Sequence, residues 1–268
     1  MTIFGLGYTT RLGLNIFFGS VVLCIYTPII VMIIFSFNSG RYQTLPFREF
    51  TTDWYARMLL DQNFIDGLGN SLIIAILVSI SATILGFLAA YAFQRAEFPA
   101  KSMALGLLLA PLAFPLILVG IGMRLQATSL GLQPGLWLVA MGQTIYVLPL
   151  AVLNLRVGIA NVPKSLEDAA ISLGASRIRT LTEIMAPACR STIIATLLIT
   201  FTFAFDEFII AYFLTNFEIT LPIKIWTTLV TGFDPTVNAV GSAVFIFSVT
   251  LGLVAQILLF KRQTGKLS

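Results

Sequence analysis

Two adjacent carboxylates, Asp206 and Glu207, stand inside an otherwise apolar run, FTFAFDEFIIAYF. Charged groups at membrane depth are costly, so they face a polar cavity or a partner and mark solute paths by default. The chemistry they offer is recognition of a cation or an amine. Adjacent helical residues point about 100° apart, so the two cannot line one path equally. At least one is read as lining the path; the alternatives are pairing with Arg or Lys of a partner subunit, or exposure near the outer surface. Phe203, Tyr212 and, further along, Trp226 add rings that stack on a cation or gate the path, or else pack against lipid. The chain contains no His. That removes the usual general base, the usual metal ligand and any Ser–His or Cys–His pair. Cys24 and Cys189 lie in separate segments, too few for a disulfide framework or a metal set. Gly265-Lys266 is followed by Leu267 and has no glycine five residues before Gly265, so it is not a phosphate-binding loop. The chain is expected to be non-catalytic, with no metal and no cofactor of its own.

A second cluster of polar chemistry lies in Ser165–Pro187, SLEDAAISLGASRIRTLTEIMAP, flanked by long apolar segments. Ser165 is read as an N-cap with Asp168 reaching back to it. Ala169, Ala170 and Leu173 continue a short helix. Gly174 stops it, because glycine enters the left-handed conformation without a Cβ penalty. Ser176 caps a second helix whose Ile178, Leu181, Ile184 and Met185 share one face. The whole reads as helix, tight turn, helix.

These two clusters must be positioned by membrane spans. Of 268 residues 57% are hydrophobic and 10% charged, with mean hydropathy +0.94; a soluble domain carries about 25% charged residues. The reading is one all-α integral membrane domain, 1–268, with spans at about 12–37, 70–93, 102–126, 134–155, 189–212 and 240–260. Pro111 and Pro115 kink the third span or break it toward a cavity. Asp53 caps a short helix, WYARMLL, at the outer surface. Residues 216–238 form a loop, part of which could dip into the membrane. Counting from Pro187 at 1.5 Å per residue places the carboxylates roughly 28 Å up the fifth helix. With both termini inside, eleven of the sixteen Lys and Arg fall on the inner side, in the sense of the positive-inside rule, and the 165–187 loop is inside too. The net charge of +4 without a basic run offers no surface for nucleic acid; the surroundings are membrane lipid.

Asp168-Ala169-Ala170, then Gly174, then Ile184 and Pro187, resembles the EAA loop of membrane subunits of binding-protein-dependent ABC importers, E-A-A-x3-G-x9-I-x-L-P. Asp168 stands where that family has Glu, and Ala186 where it has Leu. Asp53-Trp54-Tyr55, Asn70-Ser71, and Asp206-Glu207-Phe208 followed by Thr220-Leu221-Pro222-Ile223-Lys224 look like the polyamine, opine and phosphonate branch, in particular the second permease subunit of spermidine/putrescine importers. The resemblance implies a six-span permease subunit of a type I ABC importer, in the cytoplasmic (inner) membrane of a bacterium. It implies partners: a second homologous permease, a soluble solute-binding protein and two ATPase subunits, which bind the ATP and Mg. The helix of about Leu166–Leu173 is then the coupling helix, with Glu167, Asp168, Arg177 and Arg179 making polar contacts around it, Ala169 and Ala170 within it, and Gly174 setting the angle between the loop helices. The implied solute is small and cationic or amine-bearing, polyamine-like; opines, amino-acid derivatives and phosphonates stay open. An ion-coupled secondary transporter would show inverted repeats, and no repeat is visible between spans one to three and four to six.

Overall fold

The computed structural model describes residues 8–40, 44–232 and 234–264. Arg41 and Lys266, counted in the charge bias, lie outside the described residues. Among those described, the structure is helical, and β pairing is confined to an isolated bridge between Asn38 and Phe50. The helices are α1 (Tyr8–Phe35), α2 (Asp53–Leu60), α3 (Gln62–Arg95), α4 (Lys101–Leu109), α5 (Leu116–Ser129), α6 (Leu136–Ala160), α7 (Lys164–Ser172), α8 (Arg177–Arg179), α9 (Ala186–Ala188), α10 (Arg190–Asp206), α11 (Ile209–Leu214), α12 (Leu221–Thr231) and α13 (Thr236–Thr264). A 3-10 turn, Ala110–Ala113, follows α4, and a π-helical turn, Thr180–Met185, follows α8.

Among the described residues four helices are long and apolar enough to cross a membrane, or up to six if each of two bent pairs counts as one span. The second expected span starts earlier than predicted, at Gln62. The third is not one helix: α4 with its 3-10 turn meets α5 at 101°. Phe114, the residue before Pro115, is extended at ψ 140°, because a proline ring clashes with an α-helical predecessor. The fifth expected span, 189–212, ends early, at Asp206, and resumes as the short α11. The 216–238 segment contains α12 rather than being loop throughout. Asp53 does not cap α2; Thr52 holds the cap position, and Asp53 begins the helix with its own N–H bonded to Thr51 Oγ1 at 3.1 Å.

The chain divides into two compact units, residues up to Asp61 with Thr227–Ile246, and Gln62–Trp226 with the residues from Phe247. In the first, α1 is apolar along its length, and its membrane-length window Leu12–Phe35 buries nothing. At its end Trp54 Nε1 donates to the Asn38 carbonyl at 2.8 Å, and Tyr55 shares a 2.8 Å hydrogen bond with Ser36. In the second unit, α3, α6 and α10 form the core. Ile74, Val78, Ala82 and Ala90 of α3 are buried, spaced by four or eight residues on one face, while Ile73, Ile76, Ile80 and Ile84 on the other face are exposed. A helix apolar on both faces is suited to packing on one side and lipid on the other.

Small residues let these helices approach closely, as van der Waals packing in a membrane requires. A Cβ on Gly86 would stand 2.9 Å from Ala151 Cβ, and one on Gly158 would meet Thr192 at 2.7 Å. Gly158→Val is therefore expected to lower stability by roughly 1–3 kcal/mol through overpacking, whereas Gly13→Ala, with nothing within 4 Å of its Cβ, is neutral or mildly stabilising. Thermal unfolding of both variants in detergent checks this; equal midpoints would disprove the α6–α10 contact.

Candidate functional site

The carboxylate pair sits at a break. α10 ends at Asp206, and Glu207 is extended at φ −73°, ψ 121°. Phe208 then opens α11. A helix that restarts inside a membrane exposes N–H groups that no water satisfies. Glu207 supplies the acceptor: Oε1 accepts from the Ile210 N–H at 2.9 Å, Oε2 from the Ala211 N–H at 3.2 Å and from Gln143 Nε2 at 3.1 Å. Glu207 is buried at 6% exposure, and its negative charge lies at the N-terminal end of α11, where the helix dipole favours it. Asp206 points elsewhere. It is exposed and accepts a single 2.8 Å hydrogen bond from Ser248 Oγ. The extended backbone at Glu207, rather than the 100° step of a continuous helix, separates the pair: one carboxylate holds the break and the other is open.

Asp206 lines an open cavity of about 670 Å³ with Leu116, Thr202, Phe203, Phe208 and Gly252 among its walls. Glu207 contributes to the same wall. Phe203 stacks on Tyr146 at 5.8 Å. Phe208 stands between Tyr212 at 5.3 Å and Trp226 at 5.6 Å. Asp206, Glu207 and Phe203 are thus brought to one cavity, and Tyr212 and Trp226 join it at second hand, through the Phe208 ring. Both are about half exposed, at 49% and 46%. Gln143 and Ser248 were missed from sequence. Gln143 had a legible signal, an amide inside an apolar span; Ser248 had none.

The loop folds as helix, turn, helix, with changes at its start. α7 begins at Lys164 behind Pro163, which has no side chain to cap with, so Ser165 is not the N-cap. The fixed φ of Pro163, −59°, sets the entry instead. The stop is as expected. Gly174 lies at φ +87°, its N–H bonds the Ile171 carbonyl at 2.9 Å, and the Ala175 N–H bonds that of Ala170 at 3.0 Å. These two bonds make a Schellman motif. Ser176 caps α8, accepting from the Arg179 N–H at 3.2 Å.

The charges of the loop separate by face. Asp168, Ala169, Gly174, Arg177 and Arg179 are exposed, and Ala170 is half-buried. Glu183, 2.8 Å from Arg179, pushes that guanidinium's pKa up through the hydrogen bond and then through charge, an exposed pair of small weight. Glu167, expected among the outward polar contacts, is buried at 5% exposure and faces inward. It pairs with Arg95 Nε at 2.5 Å and accepts from Tyr91 Oη at 2.8 Å. The reason is position: Glu167 and Ala170 share the inner face of α7, while Leu166, Ile171 and Leu173, with Ile178 beyond the turn, stay exposed. Arg95 and Tyr91 were not singled out from sequence, because the pairing spans more than seventy residues.

The chain thus combines the apolar helices of a polytopic membrane protein with an exposed helix-turn-helix loop and a carboxylate on an open cavity. Residues 82–262 match the family of binding-protein-dependent transport system inner membrane components, and the chain belongs to that family. It is therefore a multi-pass inner-membrane permease. It is 28% identical over 243 residues to the spermidine/putrescine transport system permease protein PotC of Escherichia coli K12, covering 90% of this chain and 91% of that one. It is 27% identical over 252 residues to the putrescine transport system permease protein PotI of the same strain, covering 91% and 89%. It is also 33% identical over 211 residues to the trehalose/maltose transport system permease protein MalG of Thermococcus litoralis, covering 73% and 72%. Among solved structures, a bacterial ABC transporter that imports the acidic polysaccharide alginate has the same fold, with a TM-score of 0.68 at 18% identity, covering 97% of this chain and 99% of that one.

The two carboxylates are expected to part on substitution. Glu207→Ala leaves two N–H groups and an amide without their acceptor and should cost roughly 1–3 kcal/mol or more. Asp206→Asn, exposed and held by one hydroxyl, should change stability by no more than about 0.5 kcal/mol. Thermal unfolding of the two variants side by side checks the assignment, and a stability loss confined to Asp206→Asn would reverse it.

Proposed function

We propose that this chain is one permease subunit of an ATP-driven importer that carries a small cationic, polyamine-like solute across the inner membrane. The observation that carries the substrate reading is the open Asp206 carboxylate on a cavity shared with the Phe203 and Phe208 rings. An ammonium group pairs with a carboxylate and with ring faces at once. Two relatives that align over nearly the whole chain are named for putrescine or spermidine transport. In this reading the chain is a single permease domain of six spans, the fifth beginning after Pro187, with both termini and the 165–187 loop in the cytoplasm.

The exposed face of α7, with Leu166, Ile171 and Leu173 beside Asp168, Arg177 and Arg179, is the seat for an ATPase subunit. Apolar side chains ringed by charges suit a protein interface. Energy enters there, since this chain has no phosphate-binding loop. A second similar permease completes the pathway, and a soluble binding protein delivers solute to the outer face; a neighbour of the same fold was solved with a ligand-bound periplasmic protein. A sugar-like solute is the competing reading, favoured by the 33% identity to a trehalose/maltose permease, since rings also stack on sugars.

Uptake in proteoliposomes holding both permeases, the ATPases and the binding protein separates the two. Putrescine and spermidine are expected to stimulate ATP hydrolysis and to be taken up, while maltose is not. Asp206→Asn should lower polyamine uptake by about tenfold, the loss of one charge-assisted contact, with hydrolysis still stimulated by the binding protein. Uptake of maltose but not polyamine, or full polyamine uptake by the variant, overturns the substrate reading.

A further inference from the structure

The nine-residue helix α7 has two faces of different kind. The outer face is exposed. The inner face carries Glu167, whose carboxylate is held at both oxygens by α3, through Arg95 Nε on one and Tyr91 Oη, a helical turn earlier, on the other. Arg95 does more than pair with Glu167. Its Nη2 donates to the Val162 carbonyl at 2.7 Å and to the Ile159 carbonyl at 3.3 Å. The Ile159 carbonyl lies in the last turn of α6 and the Val162 carbonyl in the link between α6 and α7. One guanidinium therefore joins three elements: the end of α3, the end of α6 and the first turn of α7.

The geometry is stiff. Guanidinium donors lie in one rigid plane, so they cannot follow partners that move independently. Side-chain exposure is 14% for Arg95 and 6% for Glu167, so water has little access to replace a lost contact. If α7 moves, Arg95 either drags α3 and α6 with it or leaves a buried charge unpaired, and the second course is strongly opposed.

We infer that Arg95, Glu167 and Tyr91 form the joint through which a displacement of α7 moves α3 and α6. They are positioning residues. Docking and transmission are assigned to opposite faces of one short helix. The inference rests on the importer reading, because an ATPase seated on the outer face is what would displace α7.

The experiment uses the complete complex in proteoliposomes, with its ATPases and binding protein, and labelled putrescine as the solute. ATP hydrolysis and uptake are measured on the same preparation for the unsubstituted protein, Glu167→Gln and Tyr91→Phe. Glutamine removes the charge and sets an N–H group against donors; phenylalanine removes one hydrogen bond and keeps the ion pair. The expected result is co-purification of the ATPase at unchanged stoichiometry and hydrolysis at half the original rate or more. Putrescine carried per ATP should fall by about tenfold in Glu167→Gln and by about two- to threefold in Tyr91→Phe. A proportional loss of uptake and hydrolysis, with the ratio unchanged, overturns the joint, and so does loss of the ATPase on purification, which would put Glu167 on the docking face. If Glu167→Gln fails to accumulate, the ratio in Tyr91→Phe decides alone. Failure of the importer reading is visible separately: the unsubstituted complex would then hydrolyse no ATP in step with uptake, and the joint falls with it.

Discussion

Inside a bilayer no water can satisfy a backbone N–H or carbonyl, and the rest of this structure depends on that constraint. A continuous helix meets it internally. Wherever the chain leaves helix, a side chain must answer for the groups set free. Glu207 does so for the start of α11, accepting from the Ile210 and Ala211 N–H groups. Arg124 reaches the Phe213 and Thr215 carbonyls at the end of the same helix, each at 3.4 Å. Arg95 does so for the Val162 carbonyl just past the end of α6, and adds a further donor to that of Ile159. These three ionisable residues are spent on helix ends, which explains why they are tolerated in so apolar a chain.

The same constraint sorts the carboxylates by role. A buried acid is kept where it has several donors, and Glu207 has three from two helices. Asp206, with one hydroxyl donor, is left exposed on the cavity wall. Breaking α10 at this point separates two neighbours in sequence into a buried carboxylate that caps α11 and an exposed one on the cavity wall. The loop repeats the pattern: Glu167 is turned inward onto Arg95 while its neighbour Asp168 is left outside. In both pairs the inward member is held by several donors and the outward member is exposed.

Much of this was legible beforehand. Hydropathy located the apolar runs, because lipid demands about twenty apolar residues per span whatever the packing. The stop at Gly174 was legible because only a residue without Cβ adopts φ +87° cheaply. Ser176 was legible as a cap for the same kind of local reason. Ser165 was misread because the cap position one turn into a loop depends on where the preceding proline lets the helix begin.

The sequence by itself determined local chemistry: helical apolar runs, the turn in the loop, a chain without His or a phosphate-binding loop, and a family membership carried by short-range spacing. Tertiary structure decided which way each polar side chain points. The break at Asp206 costs backbone hydrogen bonds, and the Glu207 carboxylate that replaces them is itself held by a distant residue. Gln143 lies 64 residues from Glu207, and Arg95 lies 72 from Glu167. Partners so far apart in the chain leave no periodicity to read, because the distance that matters is set by helices packing side by side.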